Sequence, residues 1–345
     1  MIKKRNLDPS LIQWIMTVTG LGPGIGNIFY VAPASSSTSQ YRTHWQEMGV
    51  EKDHYIYDAP SKAYADMTGD RNDVMLVAPG IYTETASIDW AKDHTHAIGL
   101  GGPNVMTREG KPNCCIYTDT AAVDYTIHLT GDFCQFHNLQ VQNGDTGGSA
   151  TGDNLSAVGI AGYGNYFKSV MMRGINSAAQ IADAECSSLE FGDGSGESLF
   201  DDCIIGQNGY GGTRTSTSQG HLNWKNTDTA PSSEGGTFNR CKFLSRAATA
   251  GVPMVIQTKQ NSIDKVWLFD NCVFSNYWVN WADQCNYVFH HLIGGGPATV
   301  QVLLKDCIAR GYDAWVVAGE ASGNWIHTNQ PASNGAGGLT VEANA

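Results

Sequence analysis

The sequence lacks clusters of basic residues. Its formal net charge is −12, and only Lys3, Lys4 and Arg5 stand together as a basic run. Proteins that bind nucleic acid neutralise phosphates with grouped lysine and arginine side chains. The charge balance therefore argues against a nucleic-acid partner.

Long apolar runs are missing as well. No segment approaches the roughly 20 consecutive apolar residues that a membrane-spanning helix needs, so we expect no membrane insertion. The stretch from Leu11 to Met16 is apolar, but Asp8, Pro9 and Gln13 interrupt the region and no small-residue cleavage site follows. We interpret this stretch as a short helix rather than an export signal.

The cysteine spacing of zinc sites and thioredoxin-like motifs is also absent. The chain has nine cysteines, an odd number, with no C-x-x-C pair, and Cys114 and Cys115 are adjacent. This pattern favours buried, reduced thiols and assembly in a cytoplasm. We accordingly expect neither a metal site nor a cofactor.

A repeated hexad is the strongest feature that is present. It consists of an apolar residue, two mostly polar residues, cysteine or another apolar residue, a variable residue and a final, usually apolar one. Six copies begin at Phe136, Phe167, Phe200, Phe238, Phe269 and Leu304. Successive starts are 31, 33, 38, 31 and 35 residues apart by subtraction of residue numbers. A period in this range indicates a solenoid, which can absorb 345 residues in one elongated domain.

The hexad has a direct structural interpretation. The phenylalanine ends one strand, the polar pair turns the chain, and the cysteine and the residue two places later point inward on the next strand. Stacked copies would place Cys203, Cys241, Cys272 and Cys307 in one interior column, and we predict a core stack that also contains Phe200, Phe238 and Phe269. No copy carries the 3.6-residue apolar stripe of a helical repeat. The sequence thus predicts an all-β, single-stranded parallel β-helix solenoid.

Further strands are expected between the hexads, at Ala157 to Ile160, Val252 to Thr258, Tyr287 to Leu292 and Ala314 to Ala318. Polar tracts at 206–220 and 226–236 should project as loops from one side of the stack. Binding residues commonly lie on such loops.

Two stretches carry a family resemblance. The segment NDVMLVAPGIYT from Asn72, and AIGL from Ala97, resemble the opening coils of the pectate-lyase-like right-handed parallel β-helix superfamily, whose stack is capped by a short helix, here Ser61 to Met67. The hexads FDNCVF and FDDCII are similar to its repeated coils. The resemblance covers roughly residues 27 to 320 and implies the fold, while this architecture serves enzymes, adhesins and virus proteins alike.

A narrower resemblance concerns the layout of the N-terminal part. The stretch NIFYVAPASSS and the later DVMLVAPGIYTET are similar to phage virion proteins that carry a β-helix. This likeness implies a capsid decoration, cement or fibre protein that is a homotrimer and binds other virion proteins, with the major capsid protein as the expected partner.

The N-terminal segment agrees with that layout. We predict an anchoring arm and hinge at 1–26, in which Leu11, Trp14 and Ile15 contact the capsid and GLGPGIG forms the hinge. The β-helix is predicted at 27–330, followed by a small, polar tail at 331–345. A disordered terminus would have the same composition.

Three patterns of side chains in the sequence are candidates for catalysis. Asp183, Glu185, Glu190, Asp193 and Glu197 form an acidic cluster, which we interpret first as a solvated loop rim and second as a calcium or sugar site. The Asp201-Asp202 pair occupies the repeated turn positions of its hexad. The elements of the galacturonan hydrolase motifs that the sequence contains occur in the wrong order along the chain. His290 and His291 should point to opposite faces of a strand. We predict no catalytic residues.

The leading hypothesis is therefore a non-enzymatic phage virion protein that decorates or cements the capsid and is localised on the particle. The first alternative is a tailspike that binds or cleaves a host surface polysaccharide. A secreted pectate-lyase-like enzyme or adhesin is the third possibility. The late tryptophans and tyrosines fit a core, a subunit interface or glycan stacking.

Overall fold

The computed structural model describes residues 26–34, 39–48, 50, 56–101, 114–120, 123–144, 156–176, 180–181, 186–206, 213–225, 233–247, 250–257, 263–277, 285–291, 302–316 and 326–328. These residues form 27 strands and two helices of more than one turn, and the strands build three sheets. The prediction of an all-β solenoid is confirmed. The predicted anchor residues Leu11, Trp14 and Ile15, and the predicted tail 331–345, lie outside the described ranges.

The strands fall into three sheets, numbered in chain order. Sheet A contains β1 (Ile28–Val31), β2 (Ile56–Tyr57), β3 (Asp73–Val77), β6 (Thr95–Gly99), β9 (Gln135–His137), β12 (Tyr166–Lys168), β15 (Ser198–Asp201), β18 (Gly236–Asn239), β21 (Trp267–Asp270), β24 (Val302–Lys305) and β27 (Ile326–Thr328). Sheet B contains β4 (Gly80–Glu84), β7 (Cys114–Thr118), β10 (Gln140–Asn143), β13 (Met171–Arg173), β16 (Ile204–Gly206), β19 (Lys242–Ser245), β22 (Val273–Asn276) and β25 (Ile308–Arg310). Sheet C contains β5 (Ile88–Trp90), β8 (Tyr125–Leu129), β11 (Ser156–Ile160), β14 (Ser187–Phe191), β17 (Leu222–Trp224), β20 (Val255–Gln257), β23 (Cys285–His291) and β26 (Tyr312–Val316).

The chain visits sheets A, B and C in turn and then returns to sheet A one coil further along. Sheets B and C therefore gain one strand per coil, and the structure contains eight coils of three strands, with β27 opening a ninth. Each strand pairs in parallel with the strand of the same sheet in the next coil, as β15 does with β18. The sheets enclose one apolar interior that runs the length of the stack.

The hexads fill that interior with aromatic rings. Phe136, Phe167, Phe200, Phe238 and Phe269 lie in successive coils, in register, and all are buried. Their ring centroids are 4.5 to 5.1 Å apart and their planes differ by no more than 18°. This spacing is the distance between neighbouring strands, so each ring stacks on the next.

The hexad cysteines form a second column. Cys203, Cys241, Cys272 and Cys307 are fully buried and none is in a disulfide. Each thiol donates a hydrogen bond to the carbonyl oxygen of the phenylalanine one coil earlier, with sulfur to oxygen distances of 3.2 to 3.4 Å. Burial raises the pKa of the Cys241 thiol well above its usual value, so it stays protonated.

The turn between sheets A and B depends on one left-handed residue. The third hexad residue has a φ between 52° and 54° in all six copies, at Asn138, Ser169, Asp202, Arg240, Asn271 and Asp306. In the first five copies the backbone N–H of this residue donates to the carbonyl of the second hexad residue in the next coil, as Asn271 does to Lys305 at 2.8 Å. The second polar residue therefore makes the turn while the first stays in the strand, which corrects the predicted role of the pair.

The left-handed conformation of this turn predicts that the effect of a substitution on stability depends on the new residue. Asn271→Ala should lower the free energy of unfolding by about 1 kcal/mol, because alanine tolerates a positive φ less well than asparagine. Asn271→Gly should stay within about 0.5 kcal/mol of the parent, since glycine adopts this conformation readily. Urea unfolding of the three proteins measures the difference, and equal losses in both variants would contradict the explanation.

Both helices lie near the N-terminal end of the stack, one on its outer face and one over its interior. Helix α1 (Ser39–Glu47) packs Trp45 against Tyr30 on the outer face of sheet A, with ring centroids 4.8 Å apart. Helix α2 (Pro60–Asp66) closes the interior with Tyr64, whose ring stacks on Trp90 at 4.4 Å. The predicted capping helix is therefore present one residue from its expected bounds, whereas α1 was not anticipated.

A buried polar spine runs along the corner between sheets B and C. The Arg214 guanidinium, fully buried, donates to the Ser245 hydroxyl at 2.9 Å, the Pro253 carbonyl at 3.0 Å and the Gln219 carbonyl. Gln219 in turn donates to the Gln180 carbonyl of the preceding coil at 2.5 Å. Buried polar groups require such partners. The spine therefore links successive coils through hydrogen bonds at a corner that the apolar core does not fill.

Candidate functional site

The outer face of sheet C aligns residues from five coils in one row, and four of them have polar side chains. Asp89, His128, Gly159, Glu190 and Asn223 are successive register partners on β5, β8, β11, β14 and β17. Their sequence neighbours on either side point inward, because side chains alternate along a strand. We call this row the sheet C row.

Tyr125 lies across the row. Its hydroxyl donates to Oε1 of Glu190 at 2.6 Å, and its ring stacks on His128 with centroids 4.9 Å apart and planes at 17°. A Cβ atom at Gly159 would lie 2.5 Å from the Tyr125 ring, so the absence of a side chain at this position lets the phenol cross the sheet. One glycine thus brings a tyrosine from β8 to a carboxylate on β14.

The row combines exposed and buried polar groups on the outer side of the sheet. Glu190 is 3% exposed, yet it lies on the outer side of the sheet and holds its carboxylate against the Tyr125 hydroxyl. Nδ1 of His128 lies 3.7 Å from Oδ1 of Asp89, and the Oδ1 of buried Asn223 has no hydrogen-bond partner among the residues described. Carboxylate and amide groups beside a flat ring match the hydroxyl groups and the apolar face of a sugar.

The two carboxylates of the row are too far apart to act as a glycosidase pair. Asp89 and Glu190 are separated by three strand-to-strand steps, which places their backbones about 14 Å apart at about 4.8 Å per step. The carboxyl groups of such enzymes stand roughly 5 to 9.5 Å apart across the scissile bond. The geometry of this row therefore favours binding over cleavage by these two residues.

The Asp201-Asp202 pair has a structural role in its turn. Arg240 of the next coil contacts Oδ1 of Asp201 at 2.5 Å and Oδ1 of Asp202 at 3.0 Å. A shallow cavity of about 310 Å³ lies at this corner, lined in part by Asp202, Arg240 and Lys242. Because the guanidinium already contacts both carboxylates, the pair is engaged in linking coils.

The three described members of the acidic cluster do not converge on one point. Glu190 faces outward on β14, whereas Asp193 and Glu197 lie at the following corner, where they are exposed. Asp183 and Glu185 fall in a segment that the structure leaves undescribed. No group of three or more histidine, cysteine, aspartate or glutamate side chains in the described ranges is arranged to hold a metal ion.

His290 and His221 lie in different environments. His290 lies on the outer side of sheet C, in register with Ile256, and its Nδ1 is 3.4 Å from the Thr217 carbonyl oxygen. His221 is buried inside the corner, where its Nδ1 lies 2.9 Å from the Ser188 hydroxyl. Burial lowers the pKa of His221 well below its usual value, so this residue is a neutral core histidine.

Trp267 and Trp315 of the late aromatic group are buried in the core, while Tyr277 is exposed. Trp278, Trp281 and Trp325 fall outside the part of the chain that is described. No helix among the described residues is both long and apolar enough to cross a membrane.

The fold has counterparts among solved structures. Pectin methylesterase from Aspergillus niger matches with a TM-score of 0.53 and 14% identity over 92% of this chain and 88% of that one. Pectin methylesterase from carrot matches with a TM-score of 0.54 and 11% identity over 92% and 85%. Pectate lyase Pel9A gives 0.51 and 16% over 86% and 66%.

This chain has the right-handed parallel β-helix fold. The resemblance to the pectate-lyase-like superfamily is thus confirmed at the level of fold, and identities this low carry no further conclusion about activity. No family model matches the sequence, and no curated protein matches it. The similarity to phage virion proteins stays a prediction.

Sequence reasoning missed the sheet C row because its members are 31 to 39 residues apart. Only the coil register brings Asp89, His128 and Glu190 into one row. The outward residue of each sheet C strand could have indicated the row. These residues can be aligned once the hexads have fixed the coils.

Proposed function

We propose that this protein is a non-enzymatic structural protein of a virus particle, a capsid decoration or cement protein that displays its β-helix on the particle surface. The proposal rests on one observation: reactive side chains are held in ion pairs between successive coils. Arg240 binds Asp201 and Asp202, and Lys305 lies 2.9 Å from Asp270 of the preceding coil. These contacts give a stiff body rather than a set of free catalytic groups.

The interior supports the same proposal. A continuous phenylalanine stack and a column of buried thiols resist local opening, because each coil is packed by both neighbours. Thiols that are buried and reduced agree with assembly in a host cytoplasm before release. In this proposal the protein is a homotrimer that contacts the major capsid protein through residues 1–26.

A second candidate is a tail-located protein that binds a host surface polysaccharide. The sheet C row favours it, since Tyr125, His128 and Glu190 present a ring and a carboxylate side by side. The large separation of Asp89 and Glu190 supports binding without cleavage by this pair.

Imaging of purified particles tests the proposal. Antibody-labelled particles should carry the protein over the head surface, and mass spectrometry should find it in washed particles. Label only at the tail would favour the polysaccharide-binding candidate. Absence from particles would contradict both.

The anchoring role of the N-terminal segment needs its own comparison. A chain beginning at Gly26 should keep the melting temperature of the full chain and lose binding to particles that lack the protein. Retained binding would contradict an anchor at Leu11, Trp14 and Ile15. A lowered melting temperature would instead indicate that the segment caps the solenoid.

A further inference from the structure

The corner between sheets C and A also uses left-handed residues, and one of them is unusual. His94, Phe133 and Gly164 occupy equivalent places in successive coils, with φ values of 52°, 54° and 64°. The N–H of each donates to the carbonyl of the next coil at 2.8 to 3.0 Å. Glycine is the expected residue in this conformation, so Gly164 needs no explanation. A phenylalanine there is an outlier.

Phe133 is unfavourable for folding in a second way. Its side chain is 48% exposed, although every phenylalanine of the hexads is buried. The ring lies over Gly164, where a Cβ atom would be 2.6 Å from its Cε1 atom, so the next coil leaves room for it. A left-handed backbone and an exposed apolar ring both disfavour folding, so together they point to a role of Phe133 other than folding.

Two more rings adjoin Phe133. His94 stacks on it with centroids 5.3 Å apart and planes at 23°, and Tyr163 stands at 77° to it at 6.3 Å. Nδ1 of His94 lies 3.0 Å from Oδ1 of Asp70. Rings in different orientations thus form an angled apolar corner, which we call the aromatic corner (His94, Phe133 and Tyr163).

Carboxylates lie next to the aromatic corner on the Tyr163 side. A hydrogen bond with Glu197 raises the pKa of the Tyr163 hydroxyl. Lys265 lies 2.8 Å from Glu234 and 3.7 Å from Glu197. Three carboxylates, Asp70, Glu197 and Glu234, therefore flank the aromatic corner and a single described lysine pairs with two of them.

We propose that the aromatic corner binds an extended, uncharged polysaccharide that runs along the solenoid axis. Sugar rings have apolar faces that pack on aromatic rings and hydroxyl edges that donate to carboxylates. The coil step of about 4.8 Å is close to the length of one sugar residue in an extended chain, so successive sugars meet successive coils. The flanking carboxylates repel a polyanion, which selects neutral chains over galacturonate.

The size of the patch argues against a protein partner. A stable protein interface buries about 800 Å² on each side, with a packed apolar centre. Three partly exposed rings bounded by charged side chains offer a much smaller area than this. A few sugar residues need no larger area. The aromatic corner lies apart from the sheet C row, and the inference does not depend on the particle location of the protein.

Phe133→Gly is the decisive variant, because it keeps the left-handed backbone and removes only the ring. Calorimetric titration of the full chain with cellohexaose should give weak binding, with a Kd of about 1 mM. Phe133→Gly should weaken that binding about tenfold or more while the melting temperature stays unchanged. Leu303→Ala, which trims an apolar side chain exposed on sheet A, is the matched control and should bind like the parent. Hexagalacturonate should bind more weakly than cellohexaose.

Three results would overturn the proposal. The first is a parent protein that binds no cellohexaose at about ten times that concentration. The second is equal binding by the parent and Phe133→Gly. The third is a change of oligomeric mass in Phe133→Gly, measured by light scattering, which would assign the aromatic corner to contacts between copies of the chain.

Discussion

Replacing Phe269 with alanine should lower the free energy of unfolding by about 3–5 kcal/mol. Phe269 is fully buried in the phenylalanine stack, with the Phe238 ring at 4.8 Å on one side. Phe274 and Phe289 touch it from sheets B and C, each at 5.7 Å between centroids. A cavity here cannot collapse easily, because the strands that carry these rings are fixed by their ladders on both sides.

The matched control is the outward neighbour of this site. Leu303 on β24 is paired with Leu268 and is 38% exposed, so Leu303→Ala should change the free energy of unfolding by less than about 0.5 kcal/mol. Guanidinium unfolding of both variants measures the contrast. An unchanged midpoint for Phe269→Ala would show that the ring is not inside.

Acid should destabilise the protein strongly, because three histidines are buried in neutral form. Burial, with the charge of His137 as a second cause, lowers the pKa of His96 to about 3, and burial lowers the pKa of His137 to about 4. The pKa of His221 is also well below its usual value because of burial. Their full stabilisation is present above the unfolded-state pKa of 6.5 and is lost as the pH falls toward the folded-state values.

The expected size of the acid effect follows from proton counting. Between about pH 5.5 and 4.5 each of these histidines binds a proton only in the unfolded chain, which costs about 1.4 kcal/mol per pH unit for each. His137→Gln should reduce the slope of stability against pH by that amount, and a double change with His96→Gln by twice as much. Urea unfolding at several pH values provides the slopes. A slope that the substitutions leave unchanged would show that these side chains are solvated.

The hexads carried enough information for the fold but not for the surfaces. The fourth hexad residue is cysteine in four copies, and its burial follows from strand alternation, so the coil period and the inward column could be predicted. The left-handed turn was not, since Asn138, Ser169 and Arg240 share no side-chain chemistry. What they share is the backbone hydrogen bond to the next coil, which a sequence pattern does not show.

Binding surfaces were harder to predict for the same reason. Tyr125 and Glu190 are 65 residues apart, and their contact requires the missing side chain of Gly159. Phe133 reads as an ordinary core residue in the sequence FCQF, where Phe136 occupies the real core position. Helix α1 was overlooked because its single buried tryptophan, Trp45, gives no periodic apolar stripe.

Thiol counting tests the buried, reduced cysteine column of the solenoid most directly. All nine cysteines are buried and free, and four of them are placed by the hexads alone. The native protein should therefore react with almost no Ellman's reagent over the time in which guanidinium-unfolded protein, without any reductant, releases nine equivalents. Rapid native labelling of Cys203, Cys241, Cys272 or Cys307, or fewer than nine thiols in the unfolded chain, would contradict a stack of reduced cysteines in one interior column.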